Sequence, residues 1–432
     1  MPTLYVVSLG CAKNRVDTEL MLGALARCGW RLSPQPRWAD VLLVNTCAFI
    51  HPAVREAERV IARLARAKRP AQKLVVCGCL VNRFPHGARH FNGAVDVWLH
   101  IADEARIADV LHTWFPTDAA SAAPTRVRTT PRHYAYLRIA DGCSHACSFC
   151  TIPHIRGPFR SVPLTQVMDE ARRLVDDGVI ELNVIAQDTG AYGRDTRPRT
   201  SLPALLERLC VLPGLRWVRL QYLHPVSVSD SLLAQFTSLP ALCPYLDIPL
   251  QHIHDSVLRR MRRPAAAWTR ALLERVRNRA PHVAIRTTFI TGFPGESPSA
   301  FRELLTFVNE QRFHHLGVFA YSREEGTPAA QFPDQVSRST ALRRRARLLR
   351  AQQAIALAHN QALIGTTLDV VIDSRLPDGT ARGRRRIDAP DVDATVHLSA
   401  HPACVPGAIV PVRITDAAPY DLYGVCTLPQ PA

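Results

Sequence analysis

Lysine is nearly missing from this chain. Lys13, Lys68 and Lys73 are its only three, so the net charge of +16 is carried almost wholly by arginine. A basic surplus of that size points to a polyanionic partner or neighbourhood, such as RNA or the ribosome, as a class and no further. No run of about 18 apolar residues occurs, which excludes an ordinary membrane-spanning helix. The opening residues Met1-Pro2-Thr3-Leu4-Tyr5-Val6-Val7 lack a basic stretch followed by an apolar one, so no secretory leader and a cytoplasmic location are expected. In that reducing compartment disulfides are not expected, and the twelve cysteines are better explained by metal ligation. With 432 residues, 47% hydrophobic and 21% charged, the chain has ordinary globular composition and room for two or three domains.

The densest chemistry is Cys143-Ser144-His145-Ala146-Cys147-Ser148-Phe149-Cys150, directly after an expected strand at 134–140. Three thiolates on one short loop can converge on one metal centre, and Gly142 permits the tight turn this needs. A structural zinc site would have to close its shell with His145 or His154. An iron-sulfur cluster held by three thiolates instead leaves one iron free to bind something else.

Residues 1–116 alternate strand and helix. Strands are expected at 4–9, 41–44, 74–76 and 95–99, with helices at 17–30 and 54–67. This alternation predicts a doubly wound parallel sheet. Cys11, Cys47 and Cys79 each fall just beyond a successive strand, and in such a sheet the carboxyl ends share one edge, where ligands bind. The three would therefore meet as a second three-cysteine site. The plainer alternative is three buried cysteines acting as small hydrophobes. Cys77 could stand in for Cys79, although the pattern favours Cys79.

Residues 117–131 are small and proline-bounded and read as a linker. Six strand-like segments follow, at 134–140, 181–187, 217–223, 245–251, 283–292 and 314–322. Helical segments at 164–177, 202–210, 231–238, 255–280 (interrupted at Pro264) and 299–312 separate them, which predicts a partial (β/α)6 barrel with its chemistry at the carboxyl ends of the strands. Gln187 and Asp188, Gln251, and the turn from Gly292 to Glu296 lie at that edge as candidate cofactor contacts. Arg338 to Arg350 is a strongly basic helix, read first as a solvated face and second as an RNA contact. From about residue 365 short strands at 368–372, 394–398, 408–414 and 423–426 predict a small all-β barrel. There six Arg stand against eight Asp, a net charge of −2 that suits a basic protein better than duplex RNA.

Several stretches together resemble the methylthiotransferase branch of the radical S-adenosylmethionine enzymes. They are Leu9-Gly10-Cys11-Ala12-Lys13-Asn14-Arg15-Val16-Asp17, Asn45-Thr46-Cys47-Ala48-Phe49, the Cys143 loop running on through Ile152-Pro153-His154-Ile155-Arg156-Gly157, Gln187-Asp188-Thr189 and Asp388-Ala389-Pro390. Ala186-Gln187-Asp188-Thr189 and the Ala389-Pro390 and Asp421-Leu422 regions resemble the members that modify an aspartate of small-subunit ribosomal protein twelve, rather than the tRNA-modifying sisters. Ala12 replaces a usual Pro and Gly190 a common Thr, and neither is a ligand.

The resemblance implies a methylthiotransferase domain over 1–116 holding an auxiliary 4Fe-4S cluster on Cys11, Cys47 and Cys79. It implies a radical S-adenosylmethionine barrel over 129–362 with its 4Fe-4S cluster on Cys143, Cys147 and Cys150, and a TRAM-like barrel over 365–430. It further implies S-adenosylmethionine as cofactor, an electron donor such as flavodoxin or ferredoxin, and no membrane partner. Two rivals stay open: a tRNA adenosine methylthiotransferase, and a non-catalytic zinc or iron-sulfur RNA-binding protein. Cys28, Cys77, Cys210, Cys243, Cys404 and Cys426 are expected to be structural.

Overall fold

The computed structural model describes residues 1–84, 91, 93–117 and 125–429. Residues 118–124 of the expected linker and residue 430 of the expected third domain lie outside that set. The first sheet contains β1 (Thr3–Ser8), β2 (Arg31–Leu32), β3 (Val41–Thr46), β4 (Lys73–Gly78) and β5 (Val97–Leu99), all parallel in the order β2-β1-β3-β4-β5. Strand β3 explains why the sheet is wound on both sides. Leu42 and Val44 enter a core with Val54, Ala57, Ile61 and Leu64 of the helix His51–Ala67. Val41 and Leu43 enter the opposite core with Met21, Leu22 and Leu25 of the helix Ala12–Arg27. Four consecutive apolar residues, Val41 to Val44, are what burial on both faces requires. The two-residue edge strand β2 was not expected, because Arg31 and Leu32 are exposed and carry no alternation.

The second half of the expected linker is not loose. Buried Arg126 donates to Glu19 Oε2 from Nε at 2.8 Å, and Thr129 N donates to Glu19 Oε1 at 2.6 Å. Gly23 admits this segment, since a Cβ there would lie 2.3 Å from the Thr125 carbonyl oxygen. A small-residue pattern conceals a buried ion pair of this kind.

The central sheet runs β6 (Tyr134–Arg138), β9 (Glu181–Ile185), β10 (Trp217–Leu220), β11 (Leu242–Asp247), β12 (Ala284–Thr291) and β13 (His315–Ala320), parallel and in sequence order. Between β6 and β9 lies a short antiparallel pair, β7 (Ala140–Asp141) with β8 (Arg160–Ser161). The pair clamps the base of the Cys143 loop, and Cys143 N donates to Gly157 O at 3.0 Å. The helix after β11 breaks as expected, into Asp255–Met261 and Ala266–Arg279 around Pro264.

A closed five-stranded barrel follows the helix Arg338–Gln361: β14 (Thr367–Arg375), β15 (Ala381–Arg385), β16 (Thr395–Leu398), β17 (Ile409–Ala417) and β18 (Asp421–Cys426). Strand β15 was missed because Ala381-Arg382-Gly383-Arg384-Arg385 has no apolar alternation. Two of its three arginines are buried as ion pairs instead. Arg384 Nη2 reaches Glu181 Oε2 at 2.8 Å, and Arg385 Nε reaches Asp388 Oδ2 at 2.6 Å. Burial alone would raise the Glu181 carboxyl, but Arg384 and Arg219 reverse this and hold it at about 2. Since Glu181 opens β9, the small barrel docks on the amino ends of the central strands, opposite the cysteine loop.

Candidate active site

Cys11 directly precedes the helix Ala12–Arg27, Cys47 follows β3, and Cys79 opens the short helix Cys79–Arg83 after β4. Because β1, β3 and β4 are neighbours, the three meet. A Cβ on Gly10 would lie 2.7 Å from Cys47 Cβ, so only glycine lets the Cys11 loop close over Cys47. Burial pushes the Cys79 thiol up to about 12, with Cys47 and Cys11 adding to the rise and Arg156 opposing it. Cys47 is also raised, chiefly by burial, and it too feels Cys11. Cys77 points into the opposite core with Leu43 and Val75.

The Cys143 loop turns at Gly142, whose φ is +72° and whose place no side chain could take, since a Cβ would sit 2.1 Å from Pro158 O. Burial raises Cys143, and pushes Cys150 up to about 12. Arg263 Nη1 lies 3.7 Å from Cys147 Sγ. A cavity of about 380 Å³ opens over Cys143, Cys147 and Cys150, with His154 and Arg262 on its wall.

The two trios face the same barrel mouth. Tyr222, just past β10, carries Lys13 Nζ 3.3 Å above its ring and lies within electrostatic reach of Cys11. Two residues on, His224 stacks on His145 of the cysteine loop at 3.7 Å between centroids. Arg156 closes the link from the other side. Its Nη2 donates to Asn14 Oδ1 and Asp17 Oδ2, each at 2.7 Å, and lies 4.0 Å from Cys79 Sγ. Its Nη1 reaches Asp141 Oδ2 at 3.1 Å. One buried guanidinium thus ties the loop of one trio to a sulfur of the other. Its role was not read from the sequence, although it stands six residues after Cys150 in a stretch noted there. Arg263 carried only the signal of the neighbouring Pro264 break.

The expected cofactor contacts divide into two kinds. Asp188 is spent on protein partners: Oδ2 meets His145 Nε2 and Ser227 Oγ at 2.7 Å each, and Oδ1 accepts from His224 N at 3.1 Å. Glu296 accepts from Gly292 N and from Arg344 Nη1 at 2.7 Å, and faces His252 at 3.4 Å. These carboxylates hold loops in place. Gln187 donates to Asp141 at 2.9 Å but leaves its Oε1 buried without a partner, and Gln251 Oε1 is likewise unpartnered. Gln251 also holds φ at +73°, a conformation that costs a non-glycine residue about 1–3 kcal/mol. An unpaired buried acceptor on a strained backbone at the barrel mouth suits a ligand that brings donors. Gly292 must lack a side chain, since a Cβ would meet Ala341 Cβ at 2.2 Å.

The donor sets fit clusters better than single ions. Among the described residues, a trio of ligand atoms lying within 4.8 Å of one another occurs at His401, Cys404 and Cys426 and at neither cysteine trio. Thiolates that each take a different iron need the wider spacing.

Comparison with known proteins agrees with this arrangement. Residues 3–100 match the uncharacterized protein family UPF0004, 137–308 the radical SAM superfamily and 364–427 the TRAM domain. Fold and site together define a radical S-adenosylmethionine enzyme of the methylthiotransferase kind. Over 98% of its length the chain is 44% identical to ribosomal protein uS12 methylthiotransferase RimO of Anaeromyxobacter sp. (strain K), of which it covers 92%. Over 97% it is 42% identical to the RimO of Pelobacter propionicus, covering 96% of that protein. The chain belongs to this RimO family. The fold alone is shared with the radical S-adenosylmethionine methyltransferase TsrM of Kitasatospora setae, at a TM-score of 0.56 and 14% identity over 76% of this chain and 74% of that one. Membership in an enzyme family removes the non-catalytic RNA-binding alternative. No helix among the described residues is long and apolar enough to cross a membrane.

Proposed function

We propose that the protein methylthiolates the β-carbon of an aspartate in ribosomal protein uS12, using two S-adenosylmethionine molecules, one for radical generation and one as methyl donor. The observation that carries this reading is the pair of cysteine trios at one barrel mouth, joined by Arg156. Replacing an unactivated C–H bond by C–S lies beyond any side-chain base, which is why one site must generate a radical, while the second is assigned to the sulfur. When bound, a 4Fe-4S cluster on Cys143, Cys147 and Cys150 would supply the electron that cleaves S-adenosylmethionine, and one on Cys11, Cys47 and Cys79 would hold the sulfur to be transferred.

The chain's own residues do the positioning. The unpaired Gln187 and Gln251 oxygens would accept from the cofactor's amino group, and Gly292, whose side-chain space Ala341 fills, would meet the cofactor only through its backbone. Asp188 acts through His145 and His224, and Glu296 through Gly292 and Arg344. We assign 1–116 to sulfur insertion, 129–362 to radical generation and 365–430 to holding the basic protein substrate. The names of the relatives support uS12 as partner, and flavodoxin or ferredoxin is the proposed reductant, all in the cytoplasm.

The tRNA alternative rests on the +16 charge and the basic helix. In that helix Arg344 is buried on Glu296, and Arg345 Nε is committed to Val318 O at 2.9 Å. Arg338, Arg343, Arg345, Arg347 and Arg350 stay exposed, so the helix does not separate the two readings, and it is the net charge of −2 on the small barrel and the names of the relatives that favour the protein substrate. Mass spectrometry of uS12 and of bulk tRNA from a deletion strain tests the choice. The methylthio mass should vanish from uS12 with tRNA unchanged, and loss from a tRNA adenosine instead overturns the reading.

A further inference from the structure

We propose that His401, Cys404 and Cys426 form a zinc site in the C-terminal barrel, separate from both cysteine trios, which pins the turn between β16 and β17 to the exit of β18. One ligand atom from each residue lies within 4.8 Å of the other two. A tetrahedral ion about 2.3 Å from sulfur and 2.0–2.1 Å from nitrogen sets its ligands about 3.5–4 Å apart, so a small contraction suffices.

The surroundings match zinc in three respects. His401 Nε2 is 3.1 Å from the Leu428 carbonyl oxygen, which can only accept, so Nε2 carries the proton and Nδ1 keeps its lone pair. Metal-bound histidines are commonly oriented by such a carbonyl. The present partner of Nδ1 is the Ala403 amide at 3.2 Å, a long bond that coordination would replace. The spacing His401-Pro402-Ala403-Cys404 closes a turn, with Cys404 N donating to His401 O at 3.1 Å, and this puts both ligands on one side. Charge is the third respect. Two thiolates cancel a divalent cation, so the centre would be neutral where Cys404 is fully buried. Cys426 is only half-buried, and that side admits water as fourth ligand, which makes this an open zinc site with three protein ligands rather than the closed four-ligand kind considered for the Cys143 loop.

The test uses the full-length protein with its iron-sulfur centres in place and its iron content counted. One equivalent of zinc is added, excess is removed by desalting, and the zinc K-edge absorption spectrum is recorded. Near-stoichiometric zinc is expected, with two sulfurs at about 2.3 Å and nitrogen or oxygen at about 2.0–2.1 Å. The double variant C404S/C426S should lose at least about tenfold in zinc affinity with iron unchanged, and His401→Gln should lose part of it. Zinc that washes off the wild type, a shell without sulfur, retention by the double variant with the same shell, or a Cys404–Cys426 disulfide in anaerobically isolated protein each overturns the proposal. If the double variant does not fold, the sulfur count of the wild-type shell still decides.

Discussion

Cys143, Cys147 and Cys150 lie on one loop clamped at its base by the β7–β8 pair, whereas Cys11, Cys47 and Cys79 come from three connections that meet only after a parallel sheet has formed. Closing a short loop costs little chain entropy, so the first arrangement is nearly a local property of the sequence. The second is a property of the whole domain and of one residue outside it. Arg156 belongs to the barrel, on the segment leaving the Cys143 loop, yet it satisfies Asn14 and Asp17 and approaches Cys79. The local trio therefore supports the distant one, and damage should spread in that direction more than in the reverse.

The sharpest test of the division of labour removes one ligand from each trio. Cys147→Ala should abolish 5′-deoxyadenosine formation, a loss greater than the roughly 100-fold that outer partners of a metal site cost. Cys47→Ala should spare part of that activity and block sulfur insertion. Both are read by chromatography of 5′-deoxyadenosine beside mass spectrometry of the protein product. Full methylthiolation by the Cys47 variant would refute the assignment.

A smaller effect tests the direction of support. Arg156→Gln leaves buried Asp17 and partly exposed Asp141 short of a counter-charge, and breaking a buried pair costs about 3–5 kcal/mol, toward the lower end here because Arg138 still pairs with Asp17. The denaturation midpoint should fall, and iron should be lost from the Cys11, Cys47 and Cys79 site first. Arg263→Gln removes one contact to Cys147 and one to the Pro249 carbonyl, about 1–3 kcal/mol, and should leave that site's iron in place. Equal iron loss in the two variants would break the asymmetry.

The same contrast governs what could be read from the sequence. The Cys143 loop was legible because its spacing is local. Cys11, Cys47 and Cys79 were legible because each follows a strand of the sheet that carries it. Arg156, Arg263 and the Arg384–Glu181 pair were not, because a buried ion pair has no periodicity and its partners stand far apart in the chain. Strand β15 was lost for the same reason: burial by charge pairing looks like exposure to a pattern of apolar residues. At the barrel mouth, the sequence put Asp188 and Glu296 on the right edge but could not show that their oxygens were already taken.

The smallest predicted effect concerns acid. His224, stacked on His145, is held down to about 2 by burial first, then by Arg263 and His145 itself, against an ordinary value of 6.5. Below 6.5 the unfolded chain takes up a proton that the folded one refuses. The folded state therefore loses stability as pH falls from 6.5, by up to about 1.4 kcal/mol per pH unit for this group, and nothing changes above it. Hydrogen exchange should show the Cys143 loop loosening toward about pH 5.5 while the Cys47 loop, on which no histidine among the described residues stacks, stays protected. His224→Asn should abolish that loosening and leave exchange at neutral pH nearly unchanged. Equal acid loosening of both loops, or none of it relieved by the substitution, would show that the two sites do not differ in this way.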